Sequence, residues 1–281
     1  VITDVGNNTS GTGPSYGIQV ESNAAASNVN FSNNCINNIR GGQSTPTAGS
    51  NGSAGGVAVN SSNSNFDITG LQVNNNYITN ITACNTNGTG GKGAYGVIIN
   101  VGASASGSGK AVNASVSGNT ITNLSARWAH GIGLEGETPG ATVSNNLIDN
   151  LSSATTDAIG VQVEQNDGVA TVAINNNSFT NMSYAIANVN GLAYAQDSAS
   201  ANCNWYGSLN AGVIASKVAG KVKYSPWLTN GTDNQPTVMG FQPVGGACSG
   251  TPVSLSETHV NVSCNGAGDG SIDLTVAGGL A

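Results

Sequence analysis

Glu21, Glu135 and Glu164 each stand four residues after a small residue, Gly17, Gly131 and Gly160, in segments that otherwise look alike. Two carboxyls held close together do acid–base work, because burial or a like charge raises the pKa of one of them. A retaining glycosidase sets its pair about 5 Å apart, close to the spacing of neighbouring strands. Glu135 and Glu164 are therefore the candidate catalytic residues. The same offset holds Asn60 and Asn100 in other copies and Val189 in a sixth, which also fits a strand end facing water. Asp269 and Asp273 are candidate metal ligands, since a turn carrying both could hold calcium. No G-x-S-x-G elbow accompanies the serines and histidines. Thr79, Thr122 and Thr180 share one repeat position, as an ice-binding array would, but Asn37 and Asp149 interrupt it.

Positioning these residues falls to two interleaved repeats. One reads FSNNCINNI at 31–39, VNNNYITNI at 73–81, VSGNTITNL at 116–124, VSNNLIDNL at 143–151 and INNNSFTNM at 174–182. Its fixed residues are Asn34, Asn76, Asn119, Asn146 and Asn177. The other reads YGIQV, GVAV, YGVII, HGIGL, IGVQV and YAIAN, a small residue followed by apolar positions at period two. That alternation signals half-buried strands, and no segment of helical period lies between the copies. The expected fold is all-β, a solenoid of about six to seven coils. The fixed Asn is expected to serve twice: at a left-handed hinge, which Asn tolerates, and as a ladder of amides stacked at about 4.8 Å. The apolar members, from Ile18, Val20 and Phe31 through Ile121, Ile132 and Ile148 to Ile174 and Phe179, should face one continuous core.

Charged residues are 7% of the chain and net charge is −7, with Lys and Arg scattered. Nothing here neutralises a row of phosphates, so nucleic acid is not an expected partner. No apolar run is long enough to span a membrane as a helix. No cofactor is implied. The five cysteines form no C-x-x-C pair, against a zinc site. Cys84 falls one coil along from Cys35, making these two the candidate disulfide.

In chain order, residues 1–5 match the tail of the Asn frame, so the chain is expected to enter in mid-coil and to stack there on further coils or another copy. Fixed-Asn spacing falls from 42 and 43 residues to 27 and 31. Residues 202–228 crowd Trp205, Tyr206, Tyr224 and Trp227 at the end of the stack. They read as a cap over the last coil, with Val213–Val222 as its closing strand, or else as a sugar-stacking platform. Residues 229–252 read as a linker. Residues 253–281 change to antiparallel alternation with Asp269-Gly270 as a hairpin turn.

Two stretches resemble known families. Asn204-Trp-Tyr-Gly and Gly220-Lys-Val-Lys-Tyr-Ser-Pro-Trp-Leu228 look like the closing coil of right-handed parallel β-helix domains in bacterial surface proteins, relatives in fold of pectate lyases. Cys264-Asn-Gly-Ala-Gly-Asp-Gly-Ser-Ile272 resembles the opening half of the SprB-type repeat of Bacteroidota gliding adhesins. The implied architecture is a right-handed parallel β-helix over 1–228 followed by a partial β-sandwich repeat over 253–281. The resemblance implies cell-surface display, type IX export and a non-enzymatic role in adhesion, filaments or gliding. Expected partners are neighbouring segments or copies of the same polypeptide, and extracellular glycans. It raises Ser198, in Asp197-Ser-Ala, as a glycosylation candidate. The rival reading is a carbohydrate-active enzyme or glycan-binding module on the same fold. Lyases of that fold use Lys or Arg as base with acidic calcium ligands; Arg127 and Asp157 sit suitably, without an acidic cluster.

Overall fold

A computed structural model describes residues 1–5, 13–22, 24–42, 52–61, 66–83, 92–101, 109–155, 157–164, 171–188, 199–245, 248–250 and 254–277. Each Asn frame supplies one strand to sheet A: Ile2–Thr3, Cys35–Arg40, Tyr77–Thr82, Thr120–Ala126, Leu147–Ser153 and Ser178–Thr180. Each small-residue-led segment supplies one to sheet B: Ser15–Glu21, Ala54–Ser61, Gly93–Val101, Trp128–Gly136, Ala158–Glu164 and Tyr184–Asn188, closed by Val218–Ala219. Sheet D, also seven-stranded, begins at Asn30–Ser32, and the three-stranded sheet C comprises Ala26–Ser27, Ile68–Thr69 and Ala111–Val112. All four sheets are parallel; the first three coils visit them in the order A, B, C, D, and the later coils pass from B to D with no sheet C strand among the described residues. The molecule is all-β with parallel sheets, consistent with a β-helix.

Turns in this circuit rest on left-handed residues. At the corner from sheet D to sheet A these are Asn33, Asn75, Gly118, Asn145, Asn176 and Cys203, with φ between 55 and 65°. A second row, Asn38, Asn80, Asn123, Asn150 and Asn181, lies within the sheet A segments. The expectation that the fixed Asn is both hinge and ladder is thus corrected. The hinge falls on the residue just before it, leaving the fixed side chain free to point inward.

The core is a column of stacked aliphatics. Ile36, Ile78, Ile121, Ile148 and Phe179 pair in register along sheet A, and all are fully buried. Burying each is worth about 1.5–3 kcal/mol. Ile18 and Phe31, in the outermost full coil, are only partly buried, since no further coil covers them in the structure. The small residues of sheet B are explained by this column. A Cβ at Gly96 would lie 2.5 Å from Ile121 Cγ2, and one at Gly131 would lie 2.7 Å from Ile148 Cγ2. The two sheets approach so closely there that these glycines leave no room for a Cβ.

At the far end, an aromatic chain continues the core. Phe179 and Tyr206 have ring centroids 6.0 Å apart, Tyr206 and Tyr224 6.4 Å, and Tyr224 and Trp227 6.4 Å. Tyr206 is fully buried, its hydroxyl donating to Ala201 O at 3.0 Å. With Tyr206 and Trp227 buried, their faces are unavailable as a sugar platform. The expected closing strand over Val213–Val222 is instead a short helix, Ala211–Ser216, followed by strand Val218–Ala219. The helix forms because Asn210 Oδ1 accepts from the amides of Gly212 and Val213, and it buries Ile214.

Residues 229–245, expected within a linker, form a strap docked on the stack. Phe241 is 1% exposed; its amide donates to Asn145 O at 2.8 Å, and Gly240 N donates to Thr120 Oγ1 at 2.9 Å. A Cβ at Gly240, where φ is +85°, would lie 2.6 Å from the Gly118 backbone. The strap ends where strand Cys248–Gly250 pairs antiparallel with Trp227–Leu228 and Cys203 is disulfide-bonded to Cys248. The candidate pair Cys35–Cys84 involves neither of these cysteines. Cys35 is a free thiol opposite Tyr77, seven residues short of Cys84, which lies outside the described residues.

Strands Ser254–Val260 and Ser271–Ala277 form an antiparallel hairpin. The expected two-residue Asp269-Gly270 turn is replaced by a ten-residue connection, 261–270, with Gly266 and Gly268 at positive φ. Leu255, Val262, Ile272 and Leu274 are exposed.

Candidate functional site

The fixed Asn residues form a continuous internal ladder. Asn76 Nδ2 donates to Asn119 Oδ1, Asn119 to Asn146 and Asn146 to Asn177, each at 2.9 Å, and Asn177 to Asn204 at 3.0 Å. Asn34 joins at the other end, Nδ2 to Asn76 Oδ1 at 3.0 Å. The same amides donate to carbonyls of the preceding coil, such as Asn119 to Val73 O and Asn146 to Val116 O, both within 2.9 Å. From Asn76 to Asn204 each Oδ1 also accepts a backbone amide, such as Asn119 N onto Asn146. Asn76, Asn119, Asn146, Asn177 and Asn204 are fully buried, and the ladder satisfies polar groups that would otherwise be costly there. Its role is structural. Asn204 was missed as a member because its frame is degenerate; its place two residues before Tyr206 is the signal.

The outer face of sheet B is where chemistry gathers. Glu21, Asn60, Asn100, Glu135 and Glu164 occupy one rung in register. Glu135 and Glu164 are adjacent there, so their backbones lie about 4.8 Å apart, while Glu21 lies three strands away. Glu135 and Glu164 line a cleft of about 320 Å³ together with Tyr95, Trp128, His130, Asp157, Ile159 and Gln162. Burial, and secondly the charge of Glu164, push the Glu135 carboxyl up to about 7, against the opposing effect of the hydrogen bond from Tyr95. Burial, and then the charge of Glu135, raise the Tyr95 phenol. Tyr95 meets His130 edge to face at 5.4 Å. Burial lowers His130 to about 4, with Asp157 opposing.

Gln162 Nε2 donates to Glu164 Oε2 at 3.1 Å, and Asn100 Nδ2 to Glu135 Oε2 at 3.4 Å. Gln162 Oε1 and His130 Nδ1 are buried and have no hydrogen-bond partner among the described residues. Gly133, paired with Gln162, adjoins the cleft: a Cβ there would lie 3.5 Å from Tyr95 and 3.7 Å from Glu135 Oε1. Asp157 is in the cleft and accepts from Thr155 Oγ1 at 3.0 Å; the Arg127 guanidinium lies 4.9 Å from the Trp128 ring centroid. Sequence reasoning missed Tyr95, His130 and Ile159 as a group. The signal was present: each stands immediately before the small residue of its segment.

The other candidates are not brought together. Asp269 accepts the Ser263 amide at 2.9 Å; the Ser263 side chain first, and then that amide, hold its carboxyl below the usual range, and Asp273 pairs with Thr258 on the hairpin. Among the described residues no group of three or more His, Cys, Asp or Glu is placed to hold a metal. Thr122 Oγ1 donates to Thr79 Oγ1 at 3.0 Å and Thr180 Oγ1 to Asp149 Oδ1 at 2.6 Å, so the threonine row bonds internally. Ser198 lies outside the described residues.

The SprB repeat family matches residues 256–281. No curated protein and no solved structure matches the chain. SprB repeats are found in surface-exposed proteins, and the match suggests a cell-surface protein related to gliding adhesins. Among the described residues no helix is long and apolar enough to cross a membrane.

Proposed function

We propose that this chain is a non-enzymatic segment of a cell-surface adhesin or extracellular filament, in which a right-handed parallel β-helix spaces and presents a surface next to an SprB-type module. The observation that carries this reading is the SprB match at 256–281, in the same chain as a stack of parallel coils. Export by the type IX route and glycosylation at Ser198 belong to the same reading. Antibodies against residues 1–228 should label intact cells of the source bacterium, and protease added outside should remove the signal. Labelling that requires permeabilised cells overturns the proposal.

The cleft supports a second reading, a carbohydrate-active enzyme. Its support is the adjacency of Glu135 and Glu164, with Glu135 raised to about 7, the division expected of an acid and a nucleophile. Under the adhesin reading, incubation with pectin, alginate or neutral glycans yields no unsaturated or reducing ends. Turnover abolished by Glu135→Gln or Glu164→Gln favours the enzyme instead.

A further inference from the structure

Gln162 and His130 are 7% and 6% exposed, line the cleft, and carry the unpartnered atoms Oε1 and Nδ1. Buried polar atoms in native proteins are nearly always paired, so two orphans in one cleft call for a reason. Their chemistry restricts what would satisfy them. An amide oxygen only accepts, and so does the Glu164 carboxylate; a neutral imidazole nitrogen donates or accepts according to tautomer. A partner must therefore present at least two donors while tolerating an acceptor, and must lie against Trp128, Tyr95 and Ile159.

A hard cation meets only part of this. Calcium takes six to eight oxygen ligands, whereas His130, Trp128 and Ile159 occupy other walls of the cleft. An anionic ligand would face Glu164 and Asp157. A sugar ring fits every wall: vicinal hydroxyls donate to Glu164 and Gln162 and exchange with His130, and the ring's C–H face lies on the aromatics. The cleft volume of about 320 Å³ is at the lower end for ligand pockets and suits one or two pyranose units.

We propose that the cleft formed by Tyr95, Trp128, His130, Gln162 and Glu164 binds an uncharged, hydroxyl-rich glycan. The inference rests on the adhesin reading in taking that glycan as a ligand and not a substrate. Surface labelling of cells is independent of it, so a failed binding test leaves the surface reading standing.

The test uses the chain 1–281, calorimetry and saturation-transfer NMR. The probes are maltose, cellobiose, lactose and N,N′-diacetylchitobiose, with glucosamine, digalacturonate and calcium chloride as charged comparisons. At least one neutral disaccharide should bind with a Kd of about 1 mM or tighter. Glu164→Gln, at an exposed position, and Gly133→Val, which adds bulk against Tyr95 and Glu135, should each weaken it about tenfold or more. Melting curves identify variants that fold, and should Gly133→Val fail to, Glu164→Gln decides alone. Binding by none of the neutral sugars, binding unchanged in the folded variants, or binding of only the charged probes overturns the proposal.

Discussion

Two buried titratable residues in one cleft shift in opposite senses, which makes their pH signatures separable. Glu135 holds its proton to about 7 when folded but releases it near 4.5 when unfolded. Its contribution is fully present below 4.5 and is lost as pH rises through 7. His130 has a folded pKa of about 4 against 6.5 unfolded, so its contribution is present above 6.5 and is lost as pH falls toward 4. Each spans up to about 3 kcal/mol. The two slopes oppose each other between pH 4.5 and 6.5, in a cleft whose other titratable groups are Tyr95, Asp157 and Glu164. Urea denaturation across this range should show stability rising with pH in Glu135→Gln and falling with pH in His130→Gln. Identical profiles for both variants would contradict the assignment. The internal ladder is also tested residue by residue. Asn119→Ala strips acceptors from Asn76 N and Nδ2 and a donor from Val73 O, so it should cost about 3–5 kcal/mol. Thr122→Ala, on the outer side of the same coil, should cost less than about 1 kcal/mol.

At the level of elements, the strap of residues 229–245 is held by Phe241 and Gly240 on the coils near Gly118 and Asn145, by Gly231 against the Trp205 ring, and by the Cys203–Cys248 bond at its end. It lies outside the column of aliphatics, so its release need not open the stack. Phe241→Ala should therefore expose the strap to limited proteolysis while amides of the Asn ladder keep their exchange protection. Loss of protection at Asn119 and Asn146 in that variant would show instead that strap and stack unfold together. Removing the disulfide frees a closed loop of sequence separation 45, worth up to about 4 kcal/mol in unfolded-state entropy.

Across the whole molecule, each coil contacts its neighbours above and below, so stability is expected to add along one dimension. Interior rungs have two partners; the coil at Ile2–Thr3 has one, through Ile36 and Asn37. Native-state hydrogen exchange should rise from the rungs at Thr120 and Leu147 outward to Ile2. Uniform protection would indicate a single cooperative unit instead. Presenting a polar exterior on such a stack takes few charges, because the outer Asn and Thr side chains hydrogen-bond one another along the rows.

Sequence alone determined the parallel coils, because close packing in a repeated cross-section allows only a few residue types at each position. Ile36, Ile78, Ile121 and Ile148 recur since each meets its own copy one coil away, and Gly96 or Gly131 recurs since nothing larger fits against them. The adjacency of Glu135 and Glu164 follows from the same register and was likewise legible. Tertiary structure decided what repetition does not encode. The left-handed hinge fell on Asn33, Asn75 and Asn145 because the fixed neighbour is needed inside. Cys203 bonded to Cys248 because the strap returns over the cap, a path with no periodic signal. The cleft arose because Tyr95, His130 and Gln162, unlike in type, are brought side by side in adjacent or successive strands on the outer face of sheet B. Their burial, which shifts Glu135 and His130 and leaves two polar atoms unpaired, depends on that assembled surface and on no single coil.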